Sequence, residues 1–147
     1  FSDQDGDFGV GTYVRNPPGS RHTPFTREGC VIFVKLRQME AGDRGRPVTV
    51  TRGAAPVTTG VSGLTRIALF SSPGREEVCF EQFEPASRWD QRIAGGGEEI
   101  LVLEGALDYG GTACGPMTWL RIPHGQEKAI ATRDGCRLWV KRGHLVT

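Results

Sequence analysis

One 24-residue pattern occurs twice in this chain, and that repetition constrains the fold more than any other feature. TYVRNPPGSRHTPFTREGCVIFVK, from Thr12 to Lys35, returns without a gap as TWLRIPHGQEKAIATRDGCRLWVK, from Thr118 to Lys141, at an offset of 106. Ten of the 24 positions are identical, and Tyr13/Trp119, Val14/Leu120, Glu28/Asp134, Ile32/Leu138 and Phe33/Trp139 keep their side-chain character. An ungapped match of that length reads as an internal duplication. One exchange is not conservative: His22 of the first copy is Lys128 in the second, so a fixed cation replaces a group able to ligate a metal.

Glycine and proline set the next constraint. Twenty-one glycines and nine prolines interrupt short apolar runs at close intervals, and no window holds a sustained 3.6-residue period. The pattern predicts an all-β chain with strands over residues 12–15, 30–37, 48–51, 65–70, 76–84, 98–103, 117–121 and 136–141. Closely spaced strands with no helices between them point to a sandwich or barrel. Pro17–Gly19 and Pro123–Gly125 mark matching turns in the two copies. Residues 39–63 carry the weakest pattern and read as a connector with one strand of its own.

Eighteen Lys and Arg against 17 Asp and Glu leave a formal charge of +1, and the signs are mixed along the chain without a basic stripe, so no nucleic-acid partner is expected. No apolar run approaches the ~18–20 residues of a membrane span, and no secretory leader pattern opens the sequence, so no membrane partner is expected either. Cys30, Cys79, Cys114 and Cys136 form no CxxC pair and are too sparse for a disulfide scaffold, which favours a reducing, cytoplasmic location. Cys30 and Cys136 each open an apolar run and read as small buried hydrophobes, not as catalytic thiols.

From Pro85 the chain runs PASRWDQRIAGGGEEILVLEGALD, then enters the second repeat copy and continues into GCRLWVKRGHL. GGEE followed by ILVLEG, an RxPxG turn and a GCxxxVK strand resemble the ChrR-like cupins, which form the carboxyl-terminal domain of some anti-sigma factors and also occur as free-standing two-cupin proteins. The resemblance covers most of residues 76–145 and, a second time, residues 1–35. It implies an antiparallel jelly-roll barrel, a double-stranded β-helix. Residues 64–147 would then be a complete barrel, 1–40 the second half of another cupin, and 41–63 the connector. It also implies a lumen in which three His and one Glu hold a metal.

The chain departs from that pattern at the metal. The family's HxH pair, counted back from Glu98, falls on Arg92 and Ala94, and the third imidazole position is Lys128. Of four ligands only Glu98 remains, and one carboxylate beside permanent cations cannot hold a divalent ion. No cofactor is therefore expected. A Zn, Fe, Mn or Ni ion would require His22, Glu98 and His124 to be assembled with help from another chain. Arg92 and Lys128 are expected to project into the lumen that Glu98 faces. One would pair with Glu98 and the other could hold a small anionic ligand; the plainer alternative is an internal salt bridge preserving an old cavity. Trp89 is a candidate for the cavity mouth, although such aromatics more often fill a barrel core.

Under the offset of 106, Phe1 corresponds to Leu107, so the counterpart of Glu98 would precede residue 1 and His22 would be a ligand without companions. Its ordinary alternative is a hydrogen-bonded imidazole after a turn. His124, in the second-copy turn, reads as solvent-facing unless recruited as a displaced ligand. Gly95–Gly97 precede a strand and not a helix, which removes the helix-terminus anion site of phosphate loops. No GxSxG context supports a hydrolase. A half-barrel leaves strand edges unpaired, so a homodimer through strand or sheet-edge pairing is expected.

The favoured function is a non-catalytic cupin-like module for small-ligand binding, regulation or assembly. One alternative is a dioxygenase-like metal enzyme completed by another chain. Another is a ChrR-like sensor acting on a sigma factor, against which stands the lack of an amino-terminal zinc-binding helical domain in this sequence.

Overall fold

A computed structural model describes residues 1–145, and every regular element in them is a β-strand. The chain divides into two compact units, Phe1–Ala54 and Ala55–Thr147.

The first unit is sparse in regular structure. A small antiparallel hairpin joins β1 (Ser2–Asp3) to β2 (Gly6–Asp7), and β3 (Thr12–Val14) pairs with β4 (Val48–Val50). An isolated bridge ties Ser2 to Phe25. The strand expected over residues 30–37 does not form, and Val31, Val34 and Leu36 are exposed there at 87%, 60% and 77%. The reason is visible in the second copy, where the equivalent strand is flanked on both sides by longer strands. Among the described residues no strand of the first unit pairs alongside 30–37, and a strand forms only where a neighbour takes up its backbone hydrogen bonds. Cys30 is accordingly exposed, contrary to its expected burial.

The second unit is the barrel. Its strands are β5 (Val57–Thr58), β6 (Leu64–Ser72), β7 (Glu76–Phe83), β8 (Ser87–Arg92), β9 (Glu98–Gly105), β10 (Leu107–Tyr109), β11 (Thr112–Cys114), β12 (Trp119–Ile122), β13 (Glu127–Thr132) and β14 (Cys136–Arg142). They form a six-stranded antiparallel sheet in the order β12-β9-β14-β7-β6-β5 and a four-stranded sheet in the order β11-β10-β13-β8. Residues 41–63, expected to be a connector, are shared out: β4 pairs within the first unit and β5 pairs with β6 in the second.

Period-two alternation explains how these sheets enclose a core. On β14, Cys136, Leu138 and Val140 point inward, and on β9 Ile100 and Val102 do the same. They meet Phe83 and Cys79 from β7 and Leu107, Cys114 and Ile130 from the smaller sheet in one buried cluster. Ile100, Val102, Leu138 and Val140 have no exposed surface, so each contributes on the order of 1.5–3 kcal/mol. Strands β8 and β13 escape a pattern reading because each offers few apolar residues: Trp89 on one, and Ile130 between alanines on the other.

Candidate functional site

The same inward alternation carries charge into one end of the lumen. Glu98 opens β9, Lys128 lies on β13, Glu81 on β7, Arg66 on β6, and Arg142 ends β14 on the side of Leu138 and Val140. Lys128 Nζ donates to Glu98 Oε1 at 2.6 Å, and Arg142 Nε donates to Glu98 Oε2 at 2.7 Å. Arg142 Nη2 reaches Glu81 Oε1 at 2.7 Å, and Arg66 donates to that oxygen through Nη2 at 2.7 Å and Nε at 3.1 Å. Arg66 Nη1 also contacts Glu77 Oε1 at 3.5 Å. Three cations thus face three carboxylates in one connected lattice.

Burial sets the energetics. The Lys128 side chain has no exposed surface, and those of Glu81 and Glu98 are 1% exposed. Desolvation pulls the Lys128 pKa below the usual lysine value, while Glu98 pulls the other way. The ammonium also sits 3.7 Å from the ring centroid of Trp89, with the Arg142 guanidinium carbon 5.7 Å from it. For Arg142 burial acts to lower the pKa, but Glu81 and Glu98 outweigh it and hold the guanidinium charged. Cys79 lies against the lattice, its Sγ accepting from Arg142 Nη1 at 3.4 Å. Burial, reinforced by Glu81, pushes that thiol up to about 12, so it stays protonated and is a poor nucleophile.

Above the lattice a cleft of about 550 Å³ opens at the barrel mouth. One wall is the β6–β7 turn through Pro73 and Gly74, the other the β8–β9 loop Ala94–Gly97, and Gln91, Glu98 and Arg142 are part of its lining. The loop is tied to the chain after β14, since Gly143 N–H donates to the Gly97 carbonyl at 3.0 Å and Leu145 N–H to the Gly96 carbonyl at 2.6 Å. Gly96 has φ +77° and lies so close to the Gly143 backbone that a Cβ would overlap it, which makes glycine obligatory there.

Glu98 and Lys128 meet as expected, and Trp89 packs on Lys128 inside the barrel, 6.1 Å from the Phe83 ring. Arg92 does not join them. On β8 the inward positions are Ser87, Trp89 and Gln91, and Arg92 is exposed on the opposite face. The Ala94–Gly97 loop breaks the parity between β8 and β9, so Arg92, an even number of residues from Glu98, does not share its face. The lumen's second cation is instead Arg142, whose signal was its alternation with Leu138 and Val140 one residue beyond the expected strand end. Glu81 was equally readable from its place between Cys79 and Phe83.

His124 sits in the β12–β13 turn and is exposed. His22, in the first unit, faces Asp3: its Nδ1 lies 3.1 Å from Asp3 Oδ2, which also accepts from Arg46 Nη2 at 2.9 Å. Burial acts to raise the Asp3 pKa, but the Asp5 N–H, His22 and Arg46 more than reverse it and hold the carboxyl below its ordinary value. Among the described residues no three His, Cys, Asp or Glu side chains converge as metal ligands. At the position where the resemblance implies a metal, both oxygens of Glu98 are engaged by cations, Lys128 and Arg142.

A family model described as ChrR Cupin-like domain matches residues 1–40 and 46–146. No curated protein matches the chain. Among solved structures, the Schizosaccharomyces pombe Cnp3 cupin domain is similar with a TM-score of 0.55 at 11% identity, over 68% of this chain and 77% of that one. A Ralstonia eutropha protein of unknown function with a cupin-like fold gives 0.51 at 17%, over 55% of each chain. The complex of Rhodobacter sphaeroides SigE with the anti-sigma ChrR gives 0.51 at 17%, over 58% of this chain and 46% of that one. The match spans about half of the Ralstonia and Rhodobacter chains. At these identities the likeness is one of fold.

Proposed function

Because the chain belongs to the ChrR cupin-like family, we propose that it uses the family's barrel to bind a small ligand, with its own side-chain cations standing where the resemblance implies a metal. The observation that carries this reading is the double engagement of Glu98, by Lys128 at 2.6 Å and by Arg142 at 2.7 Å. A divalent ion at Glu98 would have to displace the buried Lys128 and the partly buried Arg142 and leave their charge uncompensated, which is far costlier than displacing water. Binding, in preference to catalysis, is supported by the protonated Cys79 thiol and by a lattice in which each charge is already opposed. Thermal unfolding tests the proposal. The midpoint should be unmoved by a chelator and by added Zn, Mn, Fe or Ni salts; a midpoint raised by one metal and lowered by chelator contradicts it.

The exposed apolar run at Val31 and Val34 favours self-association as a second property of the chain. Sedimentation equilibrium should then show a dimer that a Val31→Ser/Val34→Ser variant loses, and a monomer at high concentration contradicts it.

A further inference from the structure

The strap that ties the rim of the mouth cleft carries a titratable side chain. Residues 143–145, which follow β14, reach both walls. On one side Gly143 and Leu145 donate to the carbonyls of Gly97 and Gly96 at 3.0 and 2.6 Å. On the other, Gly143, with φ +83°, lies so close to the Arg75 carbonyl of the β6–β7 turn that a Cβ would overlap it. His144 stands between the two amide donors, and its Nε2 is 2.8 Å from Glu99 Oε2. Both side chains are enclosed, at 9% and 2% exposure. This imidazole–carboxylate contact anchors the residues that hold the β8–β9 loop in place.

The surroundings of the contact fix its response to pH. Glu99 is on β9, and its Oε1 accepts from Arg121 of β12 at 3.1 Å. Lys141 of β14 lies opposite Glu99 in register, and its Nζ is 2.6 Å from Glu76 Oε2 on β7. Arginine and lysine ordinarily stay charged through neutral pH, whereas an imidazole changes charge between about pH 5 and 8. As an imidazolium, His144 gives Glu99 a charge-assisted hydrogen bond, roughly twice as strong as the neutral one left when the proton departs. A histidine partnered in this way contributes stability that is present at low pH and lost as pH rises through its titration.

We propose that His144 and Glu99 form a pH-sensitive latch on the mouth cleft, tight while the imidazole is protonated and loosened once it is neutral. The latch adds regulation to the barrel's mouth and rests on the reading of the barrel as a binding module for its purpose, but it is defined without a ligand.

Hydrogen exchange of the Gly143 and Leu145 amides in the full chain, corrected for the intrinsic rate at each pH, tests it alongside the titration of the His144 ring followed by NMR. Protection at both amides should fall roughly fivefold across the range in which that ring titrates, the size expected when a charge-assisted bond becomes a neutral one. His144→Gln keeps a donor that cannot titrate and should abolish the step. His124→Gln, in the β12–β13 turn whose Gly125 donates to the Ile93 carbonyl on the same rim, should leave it unchanged. Glu99→Gln should shrink it, and His144→Gln decides the matter alone if that buried substitution prevents folding. Protection that stays flat while the His144 ring titrates, or a step that survives in His144→Gln, would overturn the latch. No ligand or metal enters the experiment, so failure here leaves the binding reading standing, and a metal-filled lumen would overturn that reading without touching this result.

Discussion

Where the first copy of the repeat has His22, the barrel has Lys128, a group that can only donate, and the consequences are energetic before they are functional. A buried ammonium is tolerable only with a carboxylate in contact, and Glu98 at 2.6 Å provides it. Lys128→Met should therefore destabilise the barrel by about 3–5 kcal/mol in urea titrations, since Glu98 loses one of its two cations while remaining buried. Adding Glu98→Gln should restore part of that loss; an additive double variant would mean the pair is not coupled. Cys79 makes a second prediction through pH. Its thiol is raised from 9.0 to about 12 in the fold, so between those values the folded state keeps a proton that the unfolded state releases. The stability tied to this group is fully present below pH 9.0 and falls as pH climbs towards about 12, by at most about 1.4 kcal/mol per unit. Cys79→Ala should flatten that alkaline slope in urea midpoints measured across the window, and an unchanged slope would contradict the buried thiol.

Among the elements, the β8–β9 loop decides what the barrel mouth is. Gly96→Ala should cost more than about 2 kcal/mol, because the left-handed backbone and the Gly143 contact both exclude a side chain. Gly95→Ala, with open space around it, should stay within about 0.5 kcal/mol of the parent. Comparable losses at both positions in chemical denaturation would remove the assignment of a rigid rim. The same loop marks the limit of what pattern reading could supply. The long strands rich in apolar residues, β6, β7, β9 and β14, lie within a residue or two of their expected positions. Glu98 and Lys128 were legible because the motif and the repeat both fix them. Arg92 was misplaced because four residues of turn intervene before Glu98, although Ser-Arg-Trp-Asp-Gln-Arg, with its indole among the odd positions, already showed which face was inward. The run from Cys30 shows the opposite limit: its composition suits a strand, but pairing is a property of neighbours, and among the described residues no strand of the first unit pairs with it.

For the molecule as a whole, burial of the cysteines gives a direct check on the two units. All four are free; Cys30 is exposed, and Cys79, Cys114 and Cys136 are buried. A thiol reagent should label one cysteine per native chain quickly and the other three only after denaturation; rapid labelling of more than one would contradict the enclosed barrel core. The duplication visible in the sequence yields two unlike outcomes, a closed barrel from Ala55 onward and a sparsely paired unit before it. Only the barrel contains the charge lattice, so the account stands or falls on what occupies its lumen. Elemental analysis of protein purified without chelator or immobilised nickel, normalised to chain concentration, addresses that most directly. Metal well below one ion per chain is the predicted result, with Lys128 and Arg142 supplying the positive charge at Glu98. Zn, Fe, Mn or Ni approaching one per chain would contradict it.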